Sequence, residues 1–166
     1  MYSIWVTPAD KDRQYLSQII QELSNTFNTC KFQPHCTLWS RVDLPLKNLI
    51  SVVKSSSQGI APFTVKVKKA DHSQSYDKTL FIQLYDHKSL SLLQQRIQNG
   101  LGKDLYYQFN PHISLIYRND MKMNTKLNII NSLNFKQTLN MVNIIINKTD
   151  IQIEKWKVVY KQRLKH

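Results

Sequence analysis

The sequence predicts an α+β fold in two pseudo-symmetric lobes, each a sheet flanked by helices, with a cleft between them. Three observations carry this expectation. The segment Phe32-Gln33-Pro34-His35-Cys36-Thr37-Leu38 recurs, 112 − 35 = 77 positions later, as Phe109-Asn110-Pro111-His112-Ile113-Ser114-Leu115. Strand-like alternation and helix-like spacing succeed each other in the order β-α-β-α-β and then β-α-β-α-β-β. No Gly/Pro-rich linker divides the 166 residues, so residues 1–166 read as a single domain of two lobes.

Residues 2 to 7, Tyr-Ser-Ile-Trp-Val-Thr, are β-branched and aromatic with alternating character and open the chain as a strand. Pro8 suits a helix start, and Tyr15, Leu16, Ile19, Ile20, Leu23 and Phe27 recur at spacings of three and four. The second strand carries His35 and Thr37. Leu46, Leu49, Ile50 and Val53 mark a helix over 45–57, closed by Ser-Ser-Ser-Gln-Gly. Phe63, Val65 and Val67 alternate with Thr64, Lys66 and Lys68, and a turn-like stretch from Asp71 to Lys78 leads to the strand Leu80–Tyr85. Leu90, Leu93, Ile97 and Leu101 give a helix ending at Gly100, and the second histidine strand follows. A short helix near 123–133, a strand-like run from Phe135 to Asn147 and a last strand around Trp156 to Tyr160 complete the chain.

In each copy of the repeat a histidine and a hydroxyl stand two residues apart. On a strand, side chains at i and i+2 share a face, so two such strands present two imidazoles and two hydroxyls to one cleft. A lone histidine on an apolar strand is more often a packing or surface residue. A repeat made for packing alone, however, has no need of polar residues at matching positions, because buried polar groups must find partners. Two facing imidazoles suit paired proton transfer near neutral pH, and the hydroxyls can donate hydrogen bonds to phosphate oxygens as charge builds there. Opening a cyclic phosphate needs these four groups and no metal.

Other chemistries lack their signatures. There is no Walker loop, no Gly-x-Gly-x-x-Gly and no Gly-x-Ser-x-Gly elbow. Cys36 adjoins His35 and points to the opposite face of a strand, which makes it a poor nucleophile. Cys30 and Cys36, six apart, form neither a disulfide framework nor a tetrahedral metal set, so no metal or other cofactor is expected. The formal charge of +12 comes from dispersed Lys and Arg without a dense run; it fits a phosphate-bearing substrate and does not by itself specify nucleic acid. No window of about 18 apolar residues and no secretion signal occurs, and no heptad is sustained; a cytoplasmic monomer without membrane contact is the expectation. Trp156 reads as structural, and His72 and His87 as surface residues.

The two His-x-(Thr/Ser) motifs resemble the signature of the 2H phosphoesterase superfamily. Their surroundings resemble its cyclic phosphodiesterase branch, known from plant and yeast tRNA-splicing enzymes. The likeness rests on the opening Tyr2-Ser3-Ile4-Trp5-Val6-Thr7-Pro8, on Pro111-His112-Ile113-Ser114-Leu115-Ile116-Tyr117, and on Lys148-Thr149-Asp150 followed by Ile153-Glu154-Lys155-Trp156. It implies the bilobal 2H phosphoesterase fold, with an antiparallel sheet flanked by helices in each lobe and the active-site cleft between them, and a small cyclic nucleotide as substrate. The implied reactions take nucleoside 2′,3′-cyclic phosphates to 2′-phosphates and ADP-ribose 1″,2″-cyclic phosphate to ADP-ribose 1″-phosphate. By position His35, Thr37, His112 and Ser114 match the catalytic tetrad, and Trp5 and Tyr117 match residues that line the cleft. Tyr117 stands three after Ser114, so it reaches the cleft only past a bend or the end of its strand. The loop from Asp71 to Thr79 diverges from the branch, and the cysteines that plant members pair are missing. Two other readings stand beside this one: an RNA-end cyclic phosphodiesterase of the 2′-5′ RNA ligase type, and a non-catalytic nucleotide- or RNA-binding module.

Overall fold

In the first strand, β1 (Tyr2–Pro8), Ile4 and Val6 enter the apolar core while Ser3 and Trp5 take the opposite face. This alternation decides where the site will lie. The computed structural model describes residues 1–102, 107–149 and 152–165. Pro8 closes β1 opposite Met141 rather than opening the helix, because Ala9 still donates to the Asn140 carbonyl at 2.7 Å. Helix α1 (Asp10–Phe27) then buries Leu16, Ile20 and Leu23 and ends at Asn28, whose left-handed backbone turns its N–H to the Ser24 carbonyl.

The remaining elements are β2 (Cys36–Val42), α2 (Leu46–Ser57), β3 (Phe63–His72), β4 (Leu80–Leu84), α3 (Lys88–Leu101), β5 (His112–Ile116), α4 (Met123–Ser132), β6 (Thr138–Lys148) and β7 (Lys157–Arg163). The order matches the sequence expectation, and several boundaries shift: β3 runs on to His72, β6 begins at Thr138 rather than Phe135, and β7 spans Lys157–Arg163. Gly100 lies inside α3, where it packs against Val52 of α2, and the helix ends instead at Gly102. His87 is a helix cap rather than a surface residue: its Nδ1 accepts from the Ser89 N–H, and its ring stacks on Phe63.

Every ladder is antiparallel, in the order β1-β2-β5-β4-β3-β6, and β6 returns to pair with β1, closing a ring. The long β6 makes this possible. One of its edges pairs with β1, while the other pairs with β3 through residues 138–141 and with β7 through residues 143–148. Two four-stranded lobes result, β2-β1-β6-β7 and β5-β4-β3-β6, each using a different part of β6. They meet a second time at one antiparallel pair, Cys36 with Ile113. The lobes are therefore not successive halves of the chain, as the element order suggests. The first lobe is completed by strands from the C-terminal end, and the helices cross over, α1 leaving β1 to lie on β5 and α3 leaving β4 to lie on β2.

One core runs beneath both lobes, with Ile4, Leu38, Leu49, Leu90, Ile97, Ile113 and Ile144 fully buried. Each such side chain contributes about 1.5–3 kcal/mol. Asp12 ties α1 to β6, accepting from Lys136 Nζ and from the Asn140 N–H, both at 2.9 Å. Burial pushes its carboxyl pKa up, but these partners outweigh that and hold it below the usual carboxylate value. Among the described residues no helix is long and apolar enough to cross a membrane.

Candidate active site

The Cys36–Ile113 pair is the point about which the two motifs are arranged. Both side chains are fully buried. Continuing that antiparallel register by one residue each way sets His35 across from Ser114 and Thr37 across from His112, with all four on the face turned away from Cys36 and Ile113. Cys36 thus belongs to the core, and burial pushes its thiol up to about 12, far from a working thiolate. Cys30 is likewise a free thiol.

The two imidazoles are held alike. His35 Nδ1 lies 2.6 Å from the Gln33 carbonyl oxygen, and His112 Nδ1 lies 2.7 Å from that of Asn110, two residues upstream in each case. A carbonyl oxygen can only accept, so each Nδ1 carries the hydrogen and each Nε2 keeps its lone pair. The segments Gln33-Pro34 and Asn110-Pro111 set this up, since proline stiffens the chain between the carbonyl and the ring it orients. An aromatic residue stands by each ring. Trp5, paired in the ladder with Thr37, stacks on His35 at 3.5 Å between centroids, and Phe81, paired with Ser114, meets His112 edge-on at 5.5 Å. Phe81 escapes the sequence reading because the 77-residue shift carries Trp5 to Ile82, one position away.

The pair is not electrostatically even. Burial pulls His35 down to about 4, opposed by the Gln33 carbonyl and reinforced by the charge of His112. His112 is also lowered by burial, opposed by the Asn110 carbonyl, lowered further by Lys78 and raised by Asp77. Burial therefore favours the neutral form of both rings, and a bound anion favours a proton on either.

A cleft of about 910 Å³ opens beside the first motif, lined by His35, Thr37, Trp5 and Tyr117 together with Trp156, Tyr76 and Asp77. Tyr117 reaches it because β5 ends at Ile116, and its ring stacks on Phe32 at 4.0 Å. The Thr37 hydroxyl has no hydrogen-bond partner among the described residues. His112 and Ser114 sit behind the loop between β3 and β4: the Ser114 hydroxyl donates to the Asp77 carbonyl at 2.7 Å, and Lys78 Nζ lies over the Phe81 ring. Thr79 anchors that loop, its buried hydroxyl donating to the Arg118 carbonyl at 2.6 Å and accepting from the Arg118 N–H. Trp156, read as structural from sequence, forms part of the cleft wall, within 5.4 Å of Trp5 and 5.9 Å of Tyr117 between ring centroids. Nothing local announces this, since Trp156 follows a short 3-10 segment and stands 121 residues beyond His35. Asp150, part of the tail likeness, lies outside the described residues.

An α+β ring of two antiparallel lobes, with one histidine-hydroxyl strand from each meeting at the seam, defines the class of two-histidine phosphoesterase folds. A family model of the 2′-5′ RNA ligase superfamily matches residues 42–142, a span that includes the second motif and begins after the first. The chain belongs to that superfamily. It is 28% identical over 109 residues, 60% of its length, to BH1439 of Halalkalibacterium halodurans, which carries a phosphoesterase name. It is 20% identical over 117 residues, 70% of its length, to the cyclic phosphodiesterase of Arabidopsis thaliana. These matches span 64% and 65% of the two relatives, under two thirds of either. Among solved structures, TT0787 of Thermus thermophilus superposes with a TM-score of 0.72 at 14% identity, covering 98% of this chain and 97% of that one. E. coli LigT complexed with 3′-AMP gives a TM-score of 0.67 at 8% identity, covering 99% and 98%. At these identities the likeness shows the fold, which is the bilobal one expected.

Proposed function

We propose that the cleft hydrolyses cyclic phosphodiesters without a metal, one imidazole acting as general base and the other as general acid. The observation that carries this reading is the matched pair of Nδ1 bonds, which leaves both Nε2 atoms free to exchange protons. One Nε2 takes a proton from water as the water oxygen bonds to phosphorus. The bond from phosphorus to the ester oxygen breaks, and the other ring, as imidazolium, gives that oxygen its proton. Thr37 donates to a non-bridging oxygen, and Ser114 does the same by turning its hydrogen from the Asp77 carbonyl to the phosphate. Trp5 and Tyr117 flank the substrate. The resemblance to the cyclic phosphodiesterase branch supports nucleoside 2′,3′-cyclic phosphates and ADP-ribose 1″,2″-cyclic phosphate as substrates. The match to the 2′-5′ RNA ligase superfamily and the charge of +12 favour a second reading, in which the cyclic phosphate ends an RNA. A polymer engages several phosphates, so its binding falls steeply with salt, whereas that of a mononucleotide does not.

The test is hydrolysis of both small substrates in EDTA by wild type and by His35→Ala and His112→Ala. We expect each variant to lose about two to four orders of magnitude in turnover. Thr37→Ala and Ser114→Ala should lose roughly tenfold to a thousandfold. A loss under tenfold for either histidine sinks the assignment.

A further inference from the structure

The ladder between β1 and β2 is irregular in two places. Trp5 faces Thr37, Ile4 faces Trp39 and Tyr2 faces Val42, so β2 carries two more residues than β1 over the same span. The first irregularity turns Trp39 into the core, where it meets Tyr107, and the second returns Ser40 and Arg41 to the cleft beside Ser3. Arg41 holds a φ of 58°, in the left-handed region. Among the described residues the other non-glycine positions with positive φ are Asn28 and Asp120, types that accept that region; an arginine has no such local reason to be there.

The repeat offers an internal comparison. The 77-residue shift carries Arg41 to Arg118, whose guanidinium is used structurally, donating to the Phe27 carbonyl at the end of α1. Among the described residues the Arg41 guanidinium has no hydrogen bond or ion pair, and it lines the cleft with Lys155, while Asp77 is the one acidic side chain there. The Arg41 N–H donates to Ser3 Oγ at 3.4 Å, and Ser3 Oγ lies 3.2 Å from Thr149 Oγ1, so hydroxyls gather at this end. Thr37 and Arg41 are four residues apart on one strand, at most about 13 Å along it.

Building on the cyclic phosphodiesterase reading, we infer that Arg41, aided by Lys155, forms a subsite for a second, non-scissile phosphate. The substrate is then a cyclic phosphate ester that carries another phosphate group, either a phosphodiester of an RNA end or the pyrophosphate of a dinucleotide-like molecule. Arginine suits the task, since its planar fork matches phosphate oxygens and stays charged.

Binding and turnover together test this. Calorimetry of adenosine 2′-monophosphate and adenosine 2′,5′-bisphosphate reads the subsite without chemistry. We expect the bisphosphate to bind wild type at least tenfold tighter, and the ratio to fall below threefold in Arg41→Ala. Arg41→Gly, which suits the positive φ, should behave alike and guards against misfolding. Equal affinities in wild type, or a ratio that survives both substitutions, overturn the subsite. Turnover of an adenosine 2′,3′-cyclic phosphate with and without a 5′-phosphate, of a dinucleotide ending in the cyclic phosphate, and of ADP-ribose 1″,2″-cyclic phosphate then identifies the source of the second phosphate. If these are all hydrolysed with equal kcat/KM, the subsite fails and the chemistry stands. If none is hydrolysed while the bisphosphate still binds tighter through Arg41, the chemistry fails and the subsite stands.

Discussion

At the scale of the residue, the two histidines share a tautomer but not an environment. His35 is sealed beneath Trp5, and His112 has Lys78 and Asp77 for neighbours. The proposed acid-base pair needs one ring neutral and one protonated, and both values in the unliganded protein are depressed. The profile of kcat/KM should therefore be bell-shaped with its maximum below the ordinary imidazole value, its acid limb set by the more depressed ring, His35. The profile of kcat should lie at higher pH, because a bound phosphate anion stabilises imidazolium. Trp5→Ala, by admitting water to His35, should move the acid limb toward 6.5. A profile flat from pH 4 to 7, or one that Trp5→Ala leaves in place, contradicts this account of His35.

At the scale of the element, what the sequence shows depends on whether the cause is local. Strands and helices were legible because their apolar spacing is local, and the cleft face of β2 and β5 followed from the two-residue period. The end of α3 was not. A glycine after periodic apolar residues reads as a stop, yet Gly100 is inside the helix because a Cβ there would come 2.9 Å from Val52 Cγ1 across the α2–α3 contact. That cause lies 48 residues away. The double irregularity of β2 was equally hidden, since no glycine or proline marks Ser40 and Arg41. Alanine at position 100 gains about 0.8–1 kcal/mol of helix propensity and meets about 1–3 kcal/mol of overpacking against a stiff β-branched neighbour. We expect Gly100→Ala to destabilise by roughly 1 kcal/mol in urea unfolding and Val52→Ala in the same chain to remove that penalty. A stabilising Gly100→Ala would mean that the helices part at little cost.

At the scale of the molecule, the site exists because the ring closes. Neither lobe is a continuous stretch of chain, and pairings such as Tyr2 with Lys148 have no sequence-local signal, so the sequence conveys two motifs without showing how the lobes share β6. Closure over one core buries a titratable ring at the seam, and that couples folding to pH. An unfolded chain protonates His35 near 6.5, while the fold refuses the proton until about 4. Below 6.5 the unfolded state thus binds more protons, and stability that is complete above that value is lost as the pH falls, at about 1.4 kcal/mol per unit toward a total of about 3 kcal/mol. His112 adds a contribution of the same sign. Between pH 7 and pH 5 urea unfolding should therefore show about 2 kcal/mol more loss in wild type than in His35→Gln, whose amide does not titrate. Equal losses would show that His35 takes up its proton within the fold as readily as outside it. The pH range that suits the proposed acid-base pair is then also the range over which the seam loses stability, and an anion bound between the rings would offset both effects by holding a proton that the fold alone rejects.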